Sequence, residues 1–134
     1  MLELKNIMND ERGGIFSIVG DSLKQFEEIA IFTSKKGIAR GGCVHDSDEF
    51  FTVIEGKVSV YFRKNNKIIE VGHFKEGNTI LIPKRIPHIV FSETDCMFME
   101  WGPAISEKGI KDAETAKIVK QINRGKTTFE EVLK

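Results

Sequence analysis

Cysteine is scarce in this chain: Cys43 and Cys96 are the two among 134 residues. Two thiols cannot build the disulfide framework of a small secreted scaffold, so a reducing, cytoplasmic setting is the expectation. Charge of one sign is also lacking. Twenty basic residues balance twenty acidic ones, for zero formal net charge, and no basic tract stands out, which argues against nucleic acid as the main partner. No apolar run approaches the length that crosses a bilayer. No charged segment followed by an apolar one marks a secretory signal. Internal repeats, linkers and low-complexity tracts are missing too. At this length one domain is the natural reading, large enough for a core without staples.

What remains reads as short strands between turn signals. Apolar, β-rich runs fall at 15–19, 28–33, 38–45, 49–54, 57–62, 68–74, 79–82, 88–91 and 97–101. Val58, Val60 and Phe62 alternate strictly, so they share one face. Asn65-Asn66 is a tight hairpin signal, because Asn tolerates positive φ. Many short strands at regular spacing indicate a sandwich or small barrel. The last thirty residues change character. Asp112 is placed to cap a helix through Ala113, Ala116, Ile118, Val119 and Ile122, ending near Gly125. Thr127-Thr128-Phe129-Glu130-Glu131 carries capping-box spacing for a second, short helix.

The chemistry-bearing residues gather at Cys43, His45 and Glu49, with His88 further on. In a strand, Cys43 and His45 point the same way. Glu49 rejoins them after a turn at Asp46-Ser47-Asp48. Neutral imidazoles of His45 and His88 with the Glu49 carboxylate are suited to a divalent metal, and two His with one carboxylate leave open positions, as in mononuclear iron sites. Cys43 reads as a thiolate ligand, a nucleophile beside the metal, or a small apolar filler. Without metal, the same residues read as a hydrogen-bonded polar cluster around an organic ligand. Gly41-Gly42 allows a bulge that aims Cys43 and His45, and Pro83 and Pro87 stiffen the approach to His88. Glu100 and Trp101 are adjacent, so one of them faces the interior. Trp101 reads as a pocket wall for a ring-shaped ligand or as ordinary packing. His73 reads as an exposed histidine and Cys96 as an unpaired thiol. Arg12 and Arg40 are suited to clamp phosphate, or else to form surface ion pairs of little energetic value.

These spacings resemble a known family. Gly37, five residues, Cys43-x-His45, three residues, Glu49, six residues and Gly56 resemble the first cupin motif, with Cys43 where its first His stands. Gly77, five residues, Pro83 and then His88 resemble the second, with Arg85 in place of Gly and Ser92 in place of Asn. The resemblance implies an all-β jelly-roll barrel of two antiparallel sheets, over 1–102, with 103–134 a helical extension of the same domain. It implies a divalent transition metal (zinc, iron, manganese or nickel) held by His45, Glu49, His88 and Cys43. Further, Asp10-Glu11-Arg12-Gly13 and Ser34-Lys35-Lys36-Gly37-Ile38-Ala39-Arg40-Gly41 resemble the dTDP-sugar epimerase and ketoisomerase branch. That branch implies Arg12 and Arg40 on nucleotide phosphates, catalysis at His45 and Cys43, and a homodimer that exchanges N-terminal strands. The leading expectation is a metal-binding isomerase or epimerase acting on a small polar carbonyl compound or sugar derivative. The alternatives are a metal-free nucleotide-sugar epimerase, a non-haem iron dioxygenase, and a ligand-binding cupin without catalysis.

Overall fold

A computed structural model describes residues 3–19, 28–102 and 109–134. In chain order its strands are β1 (Glu3–Asp10), β2 (Gly13–Val19), β3 (Glu28–Ser34), β4 (Ala39–Gly41), β5 (Cys43–Val44), β6 (Glu49–Glu55), β7 (Lys57–Lys64), β8 (Lys67–Lys75), β9 (Thr79–Ile82), β10 (His88–Ser92), β11 (Cys96–Trp101) and β12 (Ile110–Lys111). Helices α1 (Ala113–Asn123) and α2 (Phe129–Val132) follow. The chain is all-β apart from these helices. One sheet has the order β1-β2-β3-β11-β6-β9, the other β4-β10-β7-β8, and β12 pairs with β5. The pairings are antiparallel, so the jelly-roll expectation holds.

Alternation explains the core. Val58, Val60 and Phe62 of β7 point between the sheets and meet Phe51, Val53, Ile82, Val90 and Phe98. The intervening Ser59 and Tyr61 are buried too, because the helices cover the other face of that sheet. There Tyr61 stacks on Phe129 of α2 at 3.9 Å between ring centres, and Ile122 of α1 joins Ala39 and Ile89. Burying each large side chain of this kind contributes roughly 1.5–3 kcal/mol. The hairpin at Asn65-Asn66 has φ of 52° and 64°, the two left-handed residues of a type I′ turn. Gly56 needs its φ of 87°, and a Cβ there would lie 2.4 Å from the Asp95 carbonyl oxygen.

Two features differ from the sequence expectation. β1 precedes the first expected strand and pairs with β2. Its residues Asn6, Met8 and Asn9 mix polar and apolar types and give no clean period-2 signal. The expected run 38–45 is two strands, β4 and β5, broken at Gly42. Gly41 and Gly42 have φ of 153° and 114°, and a Cβ at Gly42 would come within 3.0 Å of Ala116 on α1. The close approach of that helix breaks the run at Gly42, ahead of both residues; Cys43 opens β5, His45 lies just past its end, and the two side chains still face one cavity, as expected.

Helix α1 clamps this corner. Asn123 Oδ1 accepts from the Ala39 N–H at 2.7 Å, and its Nδ2 donates to the Ala39 carbonyl at 2.8 Å. The Asp112 N–H donates to the Gly42 carbonyl at 2.7 Å. Asp112 caps α1 by accepting from the Thr115 N–H, and pairs with Arg63 at 3.1 Å. Burial opposes the charge on Asp112, but the Thr115 hydrogen bonds and Arg63 outweigh it, and its carboxyl lies below the usual range. A lowered carboxylate pKa stabilises the fold above the unfolded value and loses that contribution as pH falls through the folded value. Asp112→Ala should therefore cost about 1–2 kcal/mol at neutral pH, and thermal denaturation should show the gap to wild type closing as pH drops below about 4.

Candidate metal centre

The centre lies at one end of the space between the sheets. Glu49 opens β6, His88 opens β10 and Glu100 sits near the end of β11. The first two are buried and Glu100 is half-buried. One ligand atom from each of the three lies within 4.8 Å of the others. His88 Nε2 is 3.5 Å from Glu100 Oε1. His45 approaches from the loop after β5, with Nε2 3.4 Å from Glu49 Oε1. That loop is held by the Arg85 N–H, which donates to the His45 carbonyl at 2.8 Å. Arg85 itself takes φ of 61°, the left-handed conformation that suits the glycine usual at this motif position.

The electrostatics of this group are unbalanced. Two carboxylates and one imidazole stand together where water is mostly excluded, and a buried charge without a partner is costly. Burial pushes the Glu49 carboxyl up to about 7, the negative charge of Glu100 pushes the same way, and His88 opposes. Burial works against a charge on His88, but the hydrogen bond and charge of Glu100, with Glu49, outweigh it and raise its pKa. Glu49 Oε2 and His45 Nδ1 are buried without a hydrogen-bond partner among the described residues. An unmatched carboxylate oxygen beside an imidazole and a second carboxylate is what a divalent cation would satisfy. Glu49, His88 and Glu100 therefore fit the metal that the resemblance implies.

The centre opens into a cavity of about 370 Å³, a volume suited to a small molecule. Phe32, Phe98, Ile15 and Val90 supply apolar wall, and Arg12, Arg40, Cys43, His45, His88 and Glu100 supply polar groups. Arg40 is the unpaired charge. Its Nη2 donates to the Thr33 carbonyl at 3.2 Å, and its guanidinium lies 5.6 Å from the Phe32 ring centre. Its Nε is buried without a partner, and no carboxylate among the described residues lies within ion-pair distance. Burial, then the nearby Arg12 charge, lowers its pKa. Arg12 is already engaged, its Nη2 donating to Asp10 Oδ2 at 2.7 Å.

Of the residues singled out in the sequence, the structure brings His45, Glu49 and His88 together. Cys43 lines the same cavity on its exposed rim and stands outside the three-residue group. Trp101 lies on the opposite side of its sheet, stacked on Phe50 at 4.6 Å and donating through Nε1 to Thr52 Oγ1. His73 is exposed and pairs with Glu93 and Glu70, and Cys96 is a buried free thiol. Glu100 is the member of this group that motif spacing missed. Its one signal was parity: a charged residue in a strand where Phe98, two positions earlier, faces the core.

Comparison with known proteins agrees with this geometry. No protein-family model and no curated protein matches the chain. Solved structures do. The capsular polysaccharide assembling protein CapF of Staphylococcus aureus is 26% identical with a TM-score of 0.61, over 75% of this chain and 30% of that one. A Bacillus subtilis oxalate decarboxylase is 19% identical with a TM-score of 0.69, over 97% of this chain and 37% of that one. Hydroxypropylphosphonic acid epoxidase from S. wedmorenis is 13% identical with a TM-score of 0.62, over 75% of this chain and 55% of that one. The chain thus spans about a third of the first two proteins and about half of the third. Two antiparallel sheets around a carboxylate–imidazole centre define a β-barrel protein with a metal-competent interior. This chain belongs to the cupin superfamily. No helix among the described residues is long and apolar enough to cross a membrane.

The raised pKa values set a pH dependence. Glu49 and His88 both bind protons more tightly folded than unfolded. Their contribution to stability is full below the unfolded values, about 4.5 for Glu49 and 6.5 for His88, and is lost as pH rises through the folded ones. Metal-free protein should therefore melt at progressively lower temperature as pH is raised from about 5 to 8. Glu49→Gln should flatten that slope in a calorimetric pH series.

Proposed function

We propose that this chain is a metal-binding cupin of the isomerase or epimerase type, acting on a small, anionic carbonyl compound or sugar derivative. One observation carries the reading: Glu49, His88 and Glu100 converge within 4.8 Å at the head of a cavity that also holds the unpaired Arg40. Glu49, His88 and Glu100 would hold the metal, and two carboxylates with one imidazole suit manganese, iron or zinc. Bound there, a divalent cation supplies Lewis acidity toward a substrate carbonyl oxygen.

The remaining roles fall to the chain's own groups. Arg40 anchors the anionic end of the substrate, since a carboxylate or phosphate supplies the counter-charge it lacks. His45 Nε2 takes a proton from the carbon beside the carbonyl, and Glu49 Oε1, 3.4 Å away, stabilises the imidazolium that results. Cys43 Sγ–H stands on the rim of the same cavity as a second proton-bearing group, suited to returning a proton from another side. The apolar walls from Phe32 and Phe98 keep bulk water from that step.

Purified without chelators, the wild-type protein should carry about one transition-metal ion per chain by elemental analysis. His88→Ala and Glu100→Ala should lose it, while Cys43→Ser retains it. Metal-free wild-type protein, or a metal content unchanged by Glu100→Ala, refutes the centre as described. With a turned-over substrate in deuterated water, His45→Ala should slow exchange at the carbon beside the carbonyl by about 10²–10⁴-fold. Arg40→Ala should raise KM more than it lowers kcat. A second reading, a metal-free nucleotide-sugar epimerase, has the uncompensated Arg40 in its favour. It takes over if the protein binds no metal yet Arg40→Ala weakens nucleotide-sugar binding.

A further inference from the structure

The four-stranded sheet has a hollow on each of its faces. His88 and Val90 of β10 point in, toward the metal centre and its cavity. Ile89 and Phe91 alternate with them and point out, under the helices. Register aligns the outer face in rows. Phe91 pairs with Ser59 of β7, and Ser59 with His73 of β8. Ile89 pairs with Tyr61, and Tyr61 with Glu70. Ser59 and Tyr61 are two residues apart, whereas Glu70 and His73 are three apart. The extra residue is absorbed where the pairing steps from Glu70 to Gly72, a bulge that leaves both side chains on one face.

Helices α1 and α2 close over these rows without filling them. A hollow of about 440 Å³ remains between helices and sheet, within the range of small-molecule sites. Small residues keep it open. Ser59 stands where β7 could carry a bulky side chain, and a Cβ at Gly37 or Gly125 on its border would meet nothing within 4 Å. Tyr61, Phe91 and Phe129 are its aromatic walls. Phe129 stacks parallel on Tyr61 and stands at 68° to Phe91, so the rings form a corner instead of a flat floor.

The polar groups here are of one kind. Glu93 lines the hollow, and no lysine or arginine among the described residues does. Glu93 and Glu70 share His73, at 2.7 and 2.9 Å, so two carboxylates meet one imidazole and negative charge is left over. Burial raises the Tyr61 pKa, the Ser59 hydroxyl opposes, and the charges of Glu70 and Glu93 add to the rise. Both carboxylates are therefore within electrostatic reach of the tyrosine. Tyr61 Oη donates to Ser59 Oγ at 3.4 Å, longer than the usual ~2.7–2.8 Å, although the two residues are 5% and 1% exposed. Buried hydroxyls held this loosely keep lone pairs for a better donor.

We propose that this hollow is a binding site for a small organic ammonium ion of the choline class, separate from the metal centre. Aromatic walls attract a cation through the ring quadrupole. The carboxylate at the rim supplies a counter-charge that a neutral or anionic molecule would not use. The hydroxyls of Ser59 and Tyr61 accept from an alcohol or N–H group on the same molecule. The site goes beyond the metal reading and does not rest on it, because Phe91 and Glu93 lie on the far side of the sheet from Glu49, His88 and Glu100.

Tyr61 is the one tyrosine of the chain, so its ultraviolet difference spectrum reports on this hollow. Choline titrated into the full chain should perturb that band and saturate with a Kd of about 1 mM, with calorimetry giving the same constant. The neutral isostere 3,3-dimethylbutan-1-ol should bind about tenfold more weakly or worse. Glu93→Gln and Phe91→Leu should each weaken choline about three- to tenfold, with unchanged far-ultraviolet circular dichroism. Glu93 follows β10 in a turn, so its variant keeps the fold even if Phe91→Leu does not. Glu100→Ala, in the other cavity, should bind choline as wild type does. Equal affinity for the neutral isostere, no saturation by about 10 mM choline, binding unchanged by Glu93→Gln, or binding lost in Glu100→Ala each overturns the proposal. Metal content should be the same in Glu93→Gln as in wild type, so this site stands or falls apart from the metal centre.

Discussion

The meeting of Glu49, His88 and Glu100 is the constraint around which the structure is organised. Burying two carboxylates and an imidazole in an apolar barrel is unfavourable unless charge is balanced within hydrogen-bond range. The fold supplies part of that balance through His88 and leaves the rest to protons or a cation. The upward shift of Glu49 to about 7 is the measure of what is missing. A proton on Glu49 and a divalent ion at the same three residues compete for one position, so metal binding should release protons near neutral pH.

The rest of the chain holds the neighbours of this centre in place. Asn123 uses both ends of its amide on Ala39, occupying the free edge of β4 as a strand would. Arg40 follows Ala39 directly, so the helix that closes the outer face also sets the guanidinium in the cavity. Gly42 lets Ala116 approach, and the turn this forces sends Cys43 to the rim and His45 toward Glu49. His45 is then fixed by backbone from the other side through Arg85. The C-terminal helices thus do more than cover apolar surface: they set the geometry of the loop that carries half of the polar groups.

Much of this was legible in the sequence. Strict alternation in β7, the Asn65-Asn66 turn and the caps at Asp112 and Thr128 each depend on neighbours close in the chain, and each appears as expected. The approach of His45 to Glu49 was readable because the spacing between them spans one turn. Glu100 was not, since its place in the centre depends on β11 pairing with β6, more than forty residues away, and on parity that only the register defines. The break at Gly42 was hidden for the same reason. Two glycines announce freedom, but the helix that uses it lies some seventy residues on. β1 escaped because an edge strand packed on one side carries a weak period.

The two sides of β11 show how one strand serves two demands. Cys96, Phe98 and Glu100 face in, running from core to centre; Met97, Met99 and Trp101 face out. A shift of one residue in register would exchange these sets, placing Glu100 on the outer face and Trp101 in the cavity. The bulge at Ile54, where the pairing steps from Val53 to Glu55, absorbs one residue so that the Phe98 and Glu100 rows stay aligned with Val53 and Phe51.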